Sequence, residues 1–210
     1  MPLRIRNQLL IAAGFAPSFP ERTLDAPELS AARRAIDLVL KGHEPFPALA
    51  VDRHWTLITV NAAVSSLLSG VDPSLLKPPV NVLRLSLHPA GLATRIDNLG
   101  EWRAHLFERL HRQIAESGDP ALTALLDELS AYPSRSSGRR PADLAGVAVP
   151  LRLRVAGQDD PLSFITTTTV FGTPLDVTLS EIALECFFPA DTVTRNFLER
   201  LSAESNEGGL

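Results

Sequence analysis

The feature that most constrains the fold is a change in hydrophobic period, which occurs once along the chain at the polar stretch 134–141. Before it, apolar residues from Trp102 to Ile114 recur with the period of about 3.6 residues that is typical of a helix. After it, apolar residues from Val147 to Val155 alternate with residues of a solvated face, with the period of about 2 that is typical of a strand. A helical middle followed by a sheet is therefore predicted.

The predicted sheet takes strands from two parts of the chain. Residues 147–155, 163–171 and 177–188 form three successive strands joined by short turns, which indicates an antiparallel meander. Residues 48–60 add an earlier strand-turn-strand, and helices between 62 and 132 should cover one face. The predicted fold class is α+β, with a PAS-like single antiparallel sheet covered by helices on one face and an N-terminal helical arm.

The chain divides into three predicted segments: an arm and linker at 1–44, a PAS-like domain at 45–190, and a C-terminal helix with a flexible tail at 191–210. In the arm, Leu29, Ala32, Ile36 and Val39 form an apolar stripe at helical spacing. The stripe indicates either packing on the chain's own domain or the seam of a homodimer, in which case Ile36→Asp should produce a monomer.

Composition excludes several classes of protein. The net charge of −4 does not suit an electrostatic nucleic-acid binder, and a single cysteine, Cys186, excludes a disulfide framework or a cysteine-based zinc site within one chain. No apolar run approaches the ~20 residues of a membrane span, and no signal peptide opens the chain. A cytoplasmic location without membrane association is predicted.

Motifs for catalysis and metal binding are absent from the sequence. Glu108 and His111 have the E-x-x-H spacing of di-iron bundles, but those bundles need a second such motif and two further glutamates. No nucleophile motif and no phosphate-binding glycine loop occur. The sequence therefore predicts a protein that is not an enzyme and holds no metal or cofactor.

Four consecutive threonines, Thr166 to Thr169, lie in the predicted strand 163–171. They put hydroxyl groups on both faces of a strand whose neighbours have one strongly apolar face. These threonines have two interpretations. Either they are present because threonine favours the strand conformation, or a ligand pocket uses a few of their hydroxyl groups to orient its ligand.

Several co-linear stretches resemble MmyB-like, XRE-type bacterial transcription regulators. Leu3–Pro17 is similar to the segment that follows their helix-turn-helix, and Pro45–Ala63 is similar to the opening of their PAS-like ligand-binding domain. Asn81–Pro89 and Asn98–Leu106 resemble the middle helices, and Phe171–Asp191 resembles the closing strands of one branch.

The resemblance implies a ligand-sensing domain that binds an apolar, fatty-acid-like effector and controls DNA binding by an attached helix-turn-helix. That DNA-reading domain is missing upstream of Leu3 in this sequence, so DNA is an expected partner only through it. A homodimer is expected, and the alternative function is a ligand-free dimerisation or protein-interaction module.

The predicted pocket lies between the sheet and the helices of 62–110. Of the two faces of strand 163–171, the one with Ile165, Thr167, Thr169 and Phe171 is predicted to face the ligand, because it has two large apolar groups flanking two hydroxyls. The remaining predicted ligand-binding residues are Trp55, Arg84, Phe107, Val149, Leu151, Leu184 and Cys186, with Arg84 as a candidate anchor for a carboxylate.

Overall fold

The computed structural model describes residues 1–133 and 149–207. The helices are α1 (Leu3–Ala12), α2 (Ser30–Gly42), α3 (Ala62–Leu67), α4 (Val82–Leu87), α5 (Leu99–Ser117), α6 (Pro120–Ala131), α7 (Val177–Ser180) and α8 (Thr192–Glu207). Short 3₁₀ turns cover Pro27–Leu29 and Pro73–Leu76. None of the described helices is long and apolar enough to cross a membrane.

One antiparallel sheet organises the fold. Its strands are β1 (Ala48–Val51), β2 (Leu57–Val60), β3 (Leu151–Leu153), β4 (Leu162–Val170) and β5 (Ala183–Pro189). Their order across the sheet is β2-β1-β5-β4-β3. The structure therefore confirms the predicted α+β class with a PAS-like sheet.

The two faces of the sheet have different covers. The face that we call the inner face carries Leu151, Leu153 and Phe164, which share the main hydrophobic core with apolar residues of α4, α5 and α6. The opposite, outer face carries Leu184 and Cys186, which form a second cluster. Strand register sets this division, because residues that pair directly across an antiparallel ladder project to the same side.

Helix α2 of the arm packs on the outer face. Ile36 and Leu40 are buried there against Ala48, Ala50 and Leu184. Ile36 is only 1% exposed, whereas Val39 is 43% exposed. Of the two interpretations of the stripe, the structure supports packing on the chain's own domain for Ile36.

Two strand predictions need correction. Asp176 accepts a hydrogen bond from the Thr178 backbone N–H at 2.9 Å, so the segment after it begins as the helical turn α7 and the strand starts only at Ala183. The strand predicted over 147–155 is shorter in the described part, where β3 covers Leu151–Leu153, while 147 and 148 lie outside the described residues.

Two buried asparagines connect the helices to the strands. Asn61 precedes α3, but its side chain accepts from the Ala48 N–H and donates to the Leu40 and Phe46 carbonyls instead of capping the helix. Asn98 precedes α5 and in the same way bonds the backbone of Pro150 and Arg152 beside β3. These side chains satisfy backbone groups of α2, of β1 and the loop before it, and of the segment around β3.

The burial of Ile36 predicts the effect of a charge at that position. Ile36→Asp should lower the free energy of unfolding by about 4 kcal/mol or more, because it removes core packing and buries an unpaired carboxylate. Val39→Asp, one helical turn away and solvent-exposed, should change it by less than about 0.5 kcal/mol. Urea unfolding followed by circular dichroism measures both, and equal stability of the two variants would contradict the placement of α2.

Candidate ligand-binding site

An apolar cavity of about 110 Å³ lies between the inner face and helices α3, α4 and α5. Apolar side chains make up most of its walls, among them Leu49, Leu151 and Phe164 from the sheet and Val64, Leu83 and Leu106 from the helices. Ser86, Arg109, Thr166 and Glu185 are its polar and charged lining residues in the described part of the chain. A concave apolar space with few polar groups is the usual composition of a small-molecule site.

Trp55 closes one side of this cavity from the turn between β1 and β2. Its backbone has φ +64°, a left-handed conformation that a bulky residue rarely adopts. The Asp52 carboxylate stabilises the turn by accepting from the N–H groups of His54 and Thr56, each at 2.8 Å. The indole N–H donates to the Gln113 side-chain carbonyl at 2.8 Å, which fixes the ring against α5.

A buried ion pair crosses from α5 to the inner face. Arg109 donates to both carboxylate oxygens of Glu185, at 2.7 and 3.1 Å, and to the Thr168 hydroxyl at 3.0 Å. The Glu185 side chain is 4% exposed, and the bidentate contact with Arg109 offsets the cost of burying its carboxylate. The guanidinium also stacks over Trp55, with 4.7 Å to the ring centroid.

A second, polar cleft of about 640 Å³ lies on the other side of this ion pair. Its far wall includes Arg4 and Gln8 of the arm helix α1. Arg4 pairs with Glu181 at 2.7 Å, which connects α1 to the residues between α7 and β5. Trp55, Arg109 and Glu185 line both the cavity and the cleft, and they form the partition between them.

Thr166 has a buried hydroxyl that faces the apolar cavity. Its Oγ1 atom forms no hydrogen bond within the described residues. Its neighbours on the inner face are Phe164 and Thr168, and it pairs across the ladder with Phe187. A buried hydroxyl without a hydrogen-bond partner lowers the free energy of unfolding. An apolar residue of the same shape would pack here without that loss, so packing alone does not explain a threonine at this position.

Two of the predicted site residues, Trp55 and Leu151, line the cavity. The predicted face of β4 is wrong: the residues that face the cavity are Phe164 and Thr166. Phe164 is 1% exposed and belongs to the main core, and it fixes which face of the strand is inside. The residues predicted for the pocket that instead lie on the outer side are Ile165, Thr167, Thr169, Phe171, Leu184 and Cys186.

Phe107 and Val149 pack at the margin of the main core and do not line the cavity. Arg84 also does not line it: its guanidinium donates to both oxygens of Glu128, at 2.7 and 2.8 Å. This hydrogen bonding holds the pKa of the Glu128 carboxyl below its usual value. Burial, followed by the hydrogen bond to Glu128, raises the pKa of Tyr132 to about 12.

The sequence interpretation missed Arg109 and Glu185, and it assigned Thr166 to the face of β4 that it did not choose for the ligand. Arg109 and Glu185 lie 76 positions apart, and each resembles an ordinary charged residue on a solvated face. One sequence signal indicates the correct face of β4: the large aromatic Phe164 lies on the same side of the strand as Thr166 and Thr168, since alternate residues of a strand share a face. No cluster of three or more metal-ligating side chains occurs in residues 1–133 and 149–207.

An antiparallel PAS-like sheet with an apolar cavity between its inner face and the helices has the composition of a small-molecule-binding domain. The sequence model of the MmyB-like transcription regulator ligand binding domain matches residues 32–201, and the chain belongs to this family. No curated protein matches the chain. Family and fold together give the chain a ligand-sensing role in transcription regulation.

The structure predicts that Arg84 is not a ligand anchor. Arg84→Gln should leave ligand binding unchanged and lower the free energy of unfolding by up to about 1 kcal/mol, since both side chains are partly exposed, at 44% and 38%. The effect should be present at neutral pH and disappear as acid protonates Glu128, because a carboxyl with a lowered pKa stabilises the fold only while it is ionised. Urea unfolding at several pH values measures this, and a pH-independent loss would contradict the pairing.

The unpartnered Thr166 hydroxyl predicts a stabilising substitution. Thr166→Val keeps the shape of the side chain and removes the buried polar group, so the free energy of unfolding should rise by about 1 kcal/mol. Thr167→Val, on the exposed outer face of the same strand, is the matched control and should change stability by less than about 0.5 kcal/mol. A destabilised Thr166→Val variant would mean that the hydroxyl has a partner in the folded protein.

Proposed function

We propose that this domain binds an apolar, fatty-acid-like effector in the cavity between the sheet and α3, α4 and α5. Occupancy of the cavity controls DNA binding by an attached helix-turn-helix domain. The observation that carries the proposal is the almost wholly apolar cavity on the inner face of a chain from a ligand-binding family. Burial of an alkyl chain there contributes about 0.8 kcal/mol for each methylene group.

The cavity is too small, as it stands, for a long acyl chain. Its volume of about 110 Å³ is below the roughly 300 Å³ at which small-molecule sites begin. A long acyl chain therefore requires the cavity to enlarge. Helix α3 is the wall best suited to move. Like α4 it has 6 residues, but α4 is held by the side-chain cap of Asn81 and by the hydrogen bond from Trp102 to Ser86, whereas the side chain of Asn61 does not cap α3.

The same proposal covers the partners of the domain. In this proposal the domain catalyses no reaction and holds no metal or cofactor. The regulator is cytoplasmic and contacts DNA only through the attached helix-turn-helix domain. The regulator acts as a homodimer, for which Leu38, 71% exposed on α2, offers apolar surface beside Val39.

Organic extraction of the folded, purified protein followed by mass spectrometry tests the ligand directly. The proposal expects a fatty acid or a related acyl compound at a stoichiometry near one per chain, or, from delipidated protein, saturable binding of dodecanoate in a calorimetric titration. Absence of both would overturn the proposal and favour the ligand-free interaction module.

A cavity-filling variant tests the location. Val64→Phe places additional carbon atoms in the cavity and should weaken dodecanoate binding more than tenfold, while overpacking costs about 1–3 kcal/mol of stability and leaves the domain folded. Thr167→Trp adds bulk on the exposed outer face and should leave binding unchanged. The reverse result, with binding lost only in Thr167→Trp, would move the site to the outer face.

A further inference from the structure

The apolar cavity offers no free charge to a ligand. Of its lining residues in the described part of the chain, only Arg109 and Glu185 are charged. Arg109 donates to both oxygens of the Glu185 carboxylate, at 2.7 and 3.1 Å, so the two charges neutralise each other. A carboxylate inside the cavity would lack a counter-ion, and burying an unpaired ion costs far more than burying an alkyl group. An acid that binds here therefore keeps its carboxylate outside the cavity and inserts the opposite end of its chain.

Most of the polar groups in the cavity wall already have partners within the protein. The indole N–H of Trp55 donates to Gln113 at 2.8 Å, and the indole N–H of Trp102 donates to the Ser86 hydroxyl at 3.0 Å. The exception among the described lining residues is the Thr166 hydroxyl, whose oxygen is buried and forms no hydrogen bond. The end of the chain that enters the cavity therefore meets one unpaired hydroxyl in an otherwise apolar or satisfied wall.

The neighbours of Thr166 on the inner face provide no partner for this hydroxyl. Phe164 precedes it on the same face, Phe187 pairs with it across the ladder, and both are apolar residues of the cavity wall. Thr168, the next residue on this face, already bonds Arg109 and Glu185. A partner for Thr166 has to come from the molecule that occupies the cavity.

We propose that the effector is a fatty-acid-like chain whose buried end has an uncharged oxygen, in a hydroxyl or carbonyl group, and that Thr166 selects this oxygen. The threonine hydroxyl both donates and accepts, so it bonds either group. This inference rests on the proposed function, since it specifies the ligand of the same cavity. Thr166 is then a specificity-determining residue, because the hydrogen bond that its hydroxyl lacks in the empty domain forms only with an oxygen-bearing ligand.

Calorimetric titration of the delipidated 210-residue protein at mildly alkaline pH tests the proposal with three acids of equal chain length. Dodecanoate, 12-hydroxydodecanoate and 1,12-dodecanedioate present a methyl, a hydroxyl and a carboxylate group at the end that enters the cavity. The wild type should bind 12-hydroxydodecanoate about fivefold more tightly than dodecanoate, because one hydrogen bond then satisfies two hydroxyls. It should bind the dioate about 100-fold more weakly than dodecanoate, because the buried carboxylate has no free counter-ion.

Substitution of Thr166 should reverse the order of the first two acids. Thr166→Val should bind 12-hydroxydodecanoate about tenfold more weakly than dodecanoate, since the hydroxyl of the ligand is then buried without a partner. Dodecanoate should bind this variant as it binds the wild type, which serves as the check that the cavity is intact. Thr167→Val, on the exposed outer face of the same strand, is the matched control and should keep the wild-type order.

The outcomes separate this inference from the proposed function. If neither dodecanoate nor 12-hydroxydodecanoate binds the wild type, the proposed function fails and this inference fails with it. If dodecanoate binds and the hydroxy acid has no advantage, only the inference is overturned. An advantage that persists in Thr166→Val overturns it as well, because the oxygen then bonds another group. A dioate that binds as tightly as dodecanoate overturns it too, because the cavity then accepts a charged end.

Discussion

The rest of the site depends on the ion pair between Arg109 and Glu185. A carboxylate that is 4% exposed on the inner face requires a bidentate cation, and Arg109 supplies it from the facing helix. The pair therefore fixes the spacing of α5 from β5. The stacked Trp55 ring extends the same partition to the turn between β1 and β2. One interaction thus separates an apolar compartment from a polar one and connects the helical layer to the sheet.

Polar links elsewhere hold the layers at a fixed separation. Asn61 joins the end of α2 to β1, and Asn98 joins the start of α5 to the segment around β3. Trp102 of α5 donates to the Ser86 hydroxyl of α4 at 3.0 Å, inside the wall of the cavity. Close packing normally fills a protein interior, and these directional bonds fix the positions of the helices relative to the sheet around the apolar cavity.

Local signals predicted most of the elements. Gly118 adopts φ +64° and ends α5, and Asp119 caps α6 through the Ala121 N–H, as the sequence pattern indicates. The face of β4 could not be assigned in this way, because both faces have two threonines and apolar residues of similar size, with Phe164 on one face and Ile165 and Phe171 on the other. Its orientation comes from the pairing of Thr166 with Phe187 in β5, and the contact between Arg109 and Glu185 likewise exists only once α5 lies on the sheet.

The central claim is that the apolar cavity on the inner face of the sheet holds the alkyl chain of the effector. Crystals of the protein grown with 12-bromododecanoate test it most directly, because anomalous scattering locates the bromine at the end of the chain. The account predicts a bromine peak inside the cavity, among Val64, Leu83 and Leu106. A peak on the outer face, next to Thr167 and Cys186, would contradict it.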